Sequence, residues 1–138
     1  MSVNRASVDT NILLRLLIKD DDIKKRACER LLEKAKRKEI HLYILPIVIM
    51  EIVWVLEKYY KLDRKTIREL TEAVMNTPEL HIEMEDVFRK ALRLYEEKNV
   101  KLADAVIGYW GLEKGISTVY TYDERDFRNI KDIEVRKP

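Results

Sequence analysis

The sequence predicts an α/β protein. Its expected form is a three-layer α/β/α sandwich around a central, mostly parallel sheet of four or five strands, with residues 1–138 as a single domain. Two observations lead there. Short apolar stretches of strand type alternate along the chain with longer stretches of helical periodicity, the pattern of a parallel sheet covered on both faces. One unit, Leu102 to Phe127, also shows how such a sheet would carry a site. Residues 103–114 read as a helix of roughly 18 Å and residues 116–121 as a strand of roughly 20 Å. Gly115 lies between them. The matched lengths let the strand run back along the helix, which sets Asp104 and Asp123 at the same end.

The other elements follow in order. Arg5–Val8 is a short strand ended by Asp9-Thr10-Asn11. Ile12 to Ile18 reads as a buried helix. Asp20-Asp21-Asp22 precedes a second helix over 23–38, where acid favours the N-terminus. Its expected inner side is Ile23, Ala27, Arg30/Leu31 and Ala35. Ile40–Leu45 is a strand, and Pro46 opens a helix over 46–60. That helix is apolar nearly all round in its first half, so burial is expected. Asp63 is the N-cap of a polar helix over 64–76. A strand at Leu80–Glu83 leads to an amphipathic helix over 84–98, with Val87, Ala91, Leu94 and Tyr95 inward. Ile133–Val135 is the last strand.

Composition narrows the function. The chain is 46% hydrophobic and 38% charged, with a formal net charge of +2, so it is globular without being strongly basic. Its three glycines, at 108, 111 and 115, cannot build a phosphate-cradling glycine loop. Cys28 is alone, which leaves no disulfide framework and no cysteine zinc site. The longest apolar run, Leu45 to Val55, is broken by Glu51, and the N-terminus lacks the apolar core of a signal peptide. A cytoplasmic protein without a membrane span is the simplest expectation. His41 and His81 read as strand-surface or core-edge residues rather than metal ligands.

Four acids stand out from their surroundings. Asp9 and Asp123 follow strands. Glu51 interrupts PIVIMEIVWVL, and Asp104 sits in the otherwise uncharged LADAVIG. In a parallel sheet, strands end and helices begin at one edge, where ligands bind, and all four acids belong to that edge. Crowded carboxylates repel until a cation binds, and a hard divalent ion, Mg²⁺ or Mn²⁺, suits oxygen ligands. Each acid also has a plainer reading. Asp9 and Asp104 could be helix caps, Asp123 a turn acid, and Glu51 a core acid paired with Arg15 or another base.

VDTNILLRLL, the apolar helix bearing Glu51, and LADAVIGYWGLEKGISTVYTYDERDF together resemble the PIN domain family, in particular the VapC-type toxin ribonucleases. The match covers essentially the whole chain. Its closing part resembles the family's Asp-Ala helix, glycine turn and Thr-x-Asp-x-x-Asp-Phe motif. The resemblance implies a metal-dependent endoribonuclease, commonly a homodimer and commonly held inactive by a small VapB-type antitoxin. It places the metal-binding and catalytic acids on Asp9, Glu51, Asp104 and Asp123. Supporting roles fall on Thr121, Asn11 and Asp126. The bulky Tyr109-Trp110 departs from the small apolar residues commoner there, which bears on dimer packing or the substrate groove.

The implied chemistry is hydrolysis of RNA phosphodiesters with one or two ions activating water and stabilising the leaving oxygen. Glu51 either ligates or orients the water, and Thr121 and Asn11 fix carboxylate orientation. An acidic site needs basic surface nearby to hold RNA. Residues 23–38 carry eight Lys or Arg against two Glu. Arg15, Lys24 and Lys25 are therefore candidate phosphate contacts, and Tyr122 a stacking residue for single-stranded or structured RNA. The rival readings are a stand-alone nuclease of RNA processing, a metal-dependent DNA nuclease or phosphatase using the same acids, and a degenerate RNA- or protein-binding module.

Overall fold

The computed structural model describes residues 4–18 and 22–138. Asp20 and Asp21, read above as part of an acidic helix start, lie outside them. The chain divides into two compact units, residues 1–83 and 84–138.

In the first unit, β1 (Asn4–Ser7), β2 (Ile40–Ile44) and β3 (Leu80–Ile82) form a parallel sheet in the order β1-β2-β3. Arg5 pairs with His41, and Leu42 with Leu80. Four helices connect these strands: α1 (Thr10–Leu17), α2 (Asp22–Lys36), α3 (Pro46–Lys58) and α4 (Arg64–Met75). Alternation along the strands separates two faces. Leu42, Ile44 and Leu80 are buried and join Val8, Leu13, Ile49, Ile52, Leu56 and Ile67 in the unit's apolar interior. The opposite face carries Arg5, Ser7, His41, Tyr43 and His81. These are exposed or half-buried, so this face is polar rather than apolar. The Tyr43 ring stacks on His81 with centroids 4.8 Å apart, and the Arg5 guanidinium lies 5.9 Å from the Tyr43 ring centroid. The two histidines sit on strand surfaces, as their alternating neighbourhoods indicate.

Local chemistry accounts for the helix starts. Pro46 occupies the first turn of α3, where a missing N–H costs nothing. Asp63 caps α4 by accepting from Thr66 N–H at 2.7 Å. Two inner faces differ from those the periodicity suggests. On α2, Ile23 is 79% exposed and Cys28 is the buried residue, so the inward face is turned by about one position from the Ile23/Ala27 stripe. On α3, Val48, Ile49, Ile52, Val53 and Leu56 are buried, while Ile47 and Trp54 are 73% and 62% exposed. A helix apolar nearly all round supplies no phase to its burial, so the expected burial holds for one side of α3 and fails for the other.

In the second unit, α5 (Glu85–Glu97) packs on α6 (Leu102–Glu113), followed by β4 (Thr118–Tyr120), α7 (Glu124–Phe127) and β5 (Glu134–Arg136). Val87, Ala91, Leu94 and Tyr95 are buried along α5, the stripe its sequence indicates. Gly115, with φ of +77°, ends α6 in the left-handed region that glycine adopts without steric cost. β4 and β5 pair in parallel, Val119 with Val135. Among the described residues, the five strands thus lie in a three-stranded and a two-stranded sheet, not in one hydrogen-bonded central sheet of four or five. The inter-strand bonds of β4 go to β5, and β4 is three residues long, half the length its sequence suggests.

Candidate active site

The second unit holds the more closely knit group of acids. Asp104 lies in the first turn of α6 and is half-buried. It does not cap the helix: Lys101 stands at the N-cap, without a side-chain cap bond. The cap is supplied from 25 residues further on, where the Asp126 carboxylate accepts the Lys101 N–H at 3.0 Å. Asp126 is only 5% exposed, the one buried acid among the described residues. Its carboxyl also hydrogen-bonds that of Asp104.

The consequence is a raised proton affinity. The Asp104 carboxyl is pushed up to about 6, first by burial, then by the hydrogen bond and negative charge of Asp126, with a smaller contribution from Asp123; Lys101 opposes the shift. Negative charge on a neighbouring carboxyl group makes ionisation of Asp104 costlier. Asp123 adds further negative charge. It precedes α7 at the end of the turn after β4, and its N–H donates to Thr121 Oγ1 at 3.0 Å. Thr121 N–H in turn donates to the Arg136 carbonyl at 2.9 Å. Thr121 therefore seats the backbone of Asp123 rather than its carboxylate.

In the first unit, Asp9 caps α1, its Oδ1 accepting from Thr10 N–H at 2.8 Å. Capping and a ligand role are compatible, because the carboxylate is exposed and retains further acceptor sites. Glu51 lies in the second turn of α3, after β2. β1 and β2 are adjacent and parallel, so the segments that follow them leave the same edge of the sheet, and α1 packs on α3. The premise that Glu51 is a buried acid is not met. It is exposed on the outer stripe with Ile47, Met50 and Trp54, and has no side-chain partner among the described residues. An exposed carboxylate carries no desolvation penalty, so its place there is no evidence of a compensating cation.

The basic candidates also fall in this unit. Asn11 and Arg15 share a face of α1, Lys24 is exposed on α2, and Lys25 is half-buried. Tyr122 is 83% exposed beside Asp123. Asp126 was legible only as a secondary acid of the closing motif. A usable signal was its neighbour Phe127, which draws this segment inward, together with a helix start that offers lysine where a cap belongs.

Among the described residues, no three His, Cys, Asp or Glu side chains are grouped as the ligands of an ion would be. The donor chemistry nevertheless fits a hard cation. Asp126 and Asp123 bring negative charge to the Asp104 carboxyl, and a divalent ion would offset that excess.

Because Asp126 closes the start of α6, Asp126→Ala should leave the Lys101 N–H without its acceptor. We expect a loss of about 1–3 kcal/mol, measured by urea denaturation. An unchanged midpoint would show that water replaces the carboxylate without cost.

The chain is similar to known proteins over most of its length. It is 28% identical over 118 residues to a VapC ribonuclease of Aquifex aeolicus (strain VF5), spanning 86% of this chain and 87% of that one. Among solved structures, it is similar to a chain of VapBC2 from Rickettsia felis bound to a DNA fragment from its promoter. The identity there is 17%, the TM-score 0.39, and the coverage 96% of this chain and 98% of that one. It is also similar to a chain of a toxin–antitoxin complex from Klebsiella pneumoniae, at 22% identity, TM-score 0.31 and 96% coverage of both. The PIN domain family model matches residues 6–133, and on that match the chain belongs to the PIN domain family.

Proposed function

We propose that this protein is a divalent-metal-dependent endoribonuclease and the toxin of a type II toxin–antitoxin pair. The observation that carries the reading is the Asp104–Asp126 carboxyl pair, with Asp123 adding charge, at the start of α6 in a PIN-family chain. Its likeness to a VapC ribonuclease supports RNA as the substrate.

In this reading Asp9, Glu51, Asp104 and Asp123 hold one or two Mg²⁺ or Mn²⁺ ions. Such an ion, when bound, makes water a stronger nucleophile and offsets charge on the phosphate. The protein's own side chains do the rest. Asp126 seats the start of α6, and with it Asp104, through the Lys101 N–H. Thr121 fixes the turn that carries Asp123. Glu51 ligates or orients the attacking water. Arg15, Lys24 and Lys25 draw the RNA backbone to an otherwise acidic site. Tyr122 offers a solvent-facing ring for a base.

The same reading takes residues 1–138 as one catalytic domain. It makes the protein a homodimer that a VapB-type antitoxin holds inactive. The exposed apolar side chains of α3, Ile47 and Trp54, are of the kind such interfaces cover.

The test is to incubate the protein with single-stranded RNA, single-stranded DNA and a phosphomonoester, each with Mg²⁺, with Mn²⁺ and with chelator. We expect internal cleavage of RNA that chelator abolishes. Hydrolysis of the monoester alone, or cleavage unaffected by chelator, would overturn the proposal.

A further inference from the structure

α1 and α2 pack against each other and leave a cavity of about 390 Å³ between them. That lies within the range of about 300–1,000 Å³ typical of small-ligand sites. Among the described residues, the lining divides evenly: Ile12, Ala27 and Cys28 are apolar, while Asn11, Arg15 and Lys24 are polar. The spacing explains the grouping. Asn11 and Arg15 are four apart on α1, and Lys24, Ala27 and Cys28 lie on successive turns of one face of α2. Asn11 and Arg15 also line a smaller hollow of about 70 Å³ with Leu14 and Tyr60, so they form a ridge between two depressions.

We propose that this cavity binds one nucleotide of the RNA substrate and sets base preference beside the cleaved bond. The inference rests on the ribonuclease reading and adds a specificity site to it. Each component of a nucleotide has a counterpart in the lining. The apolar side chains accommodate a base plane. The Asn11 carboxamide presents a donor and an acceptor together, the pattern that reads a base edge. Arg15 and Lys24 supply the fork and the point charge that hold phosphate oxygens. Position matters as well. Asn11 is two residues beyond Asp9, so the cavity is built on the helix that one of the proposed ion-binding acids caps.

Filling the cavity tests this without touching an acid. Ala27→Phe places a ring into the space from a solvent-exposed helix position that lines it. Cleavage sites on an RNA pool of random sequence are mapped for both proteins, and the four nucleoside 5′-monophosphates are titrated into the metal-free proteins by NMR. We expect wild type to favour one base at a fixed position by about tenfold, the scale of one bidentate side chain–base contact. The matching monophosphate should shift the Asn11 and Ala27 resonances. Ala27→Phe should lose both responses while keeping its circular dichroism. Unchanged base preference in a folded Ala27→Phe protein overturns the inference and leaves the nuclease reading standing. Equal shifts from all four monophosphates and inorganic phosphate also overturn it, because they show phosphate binding without base recognition. If wild type cleaves no RNA with any metal, the nuclease reading fails. The titration then decides the cavity alone, and is decisive even if Ala27→Phe does not fold.

Discussion

Asp104→Asn is expected to lower metal-dependent RNA cleavage by at least about 100-fold while leaving the protein folded. The substitution keeps size and hydrogen-bonding capacity but removes one negative charge, and charge is what an oxygen-ligated cation needs. The loss should appear in turnover at saturating RNA more than in RNA binding, because α2, Arg15 and Tyr122 are untouched. The assay is cleavage of a labelled RNA under single-turnover conditions, with binding measured separately by fluorescence anisotropy. Full activity in Asp104→Asn would remove Asp104 from the site and with it the central observation behind the proposed function. Loss of both binding and circular dichroism would assign Asp104 a structural role instead.

The second large effect is on stability, and its sign follows from the same carboxyl group. The Asp104 carboxyl protonates at about 6 in the folded protein, against about 3.9 in an unfolded chain. Between those values the folded state binds the extra proton, so stability falls as pH rises through this window and the full penalty is present above about pH 6. An asparagine mimics the protonated acid at every pH. Asp104→Asn should therefore melt with wild type near pH 4 and above it at pH 7.5, by about 2–5 °C. Millimolar Mg²⁺ at pH 7.5 should raise the melting temperature of wild type and do so far less in the variant, because a ligand bound only to the native state stabilises it. Differential scanning calorimetry of both proteins at the two pH values, with and without Mg²⁺, checks this. A difference between the proteins that is the same at both pH values would show that burial and Asp126 do not strain this carboxyl group.

Much of this was legible before any coordinates. The order of helix, glycine turn and strand around Gly115 brings Asp123 near enough for its charge to be felt at Asp104, although β4 is half the length that its sequence suggests. Pro46, Asp63 and the α5 stripe describe what the structure contains, because each is a local rule acting within one or two turns. The errors share a different cause. Ile23 and Ala27 were placed inside α2, and Glu51 in a buried segment. In both cases several phases of the helix satisfy the apolar pattern, and only the neighbouring elements choose one.

By itself, then, the sequence determined the alternation of elements, most of their boundaries and the parallel pairing of the strands. Those features depend on backbone sterics, capping and hydrophobic period, which act over a few residues. The tertiary structure alone decided that Asp126, not a local cap, closes the start of α6 and helps raise the proton affinity of Asp104. It alone decided that Glu51 faces outward among exposed apolar side chains and that the strands divide into two sheets. Those outcomes depend on contacts between segments far apart in the chain, where proton affinity and burial are set by what packs nearby and not by what precedes or follows.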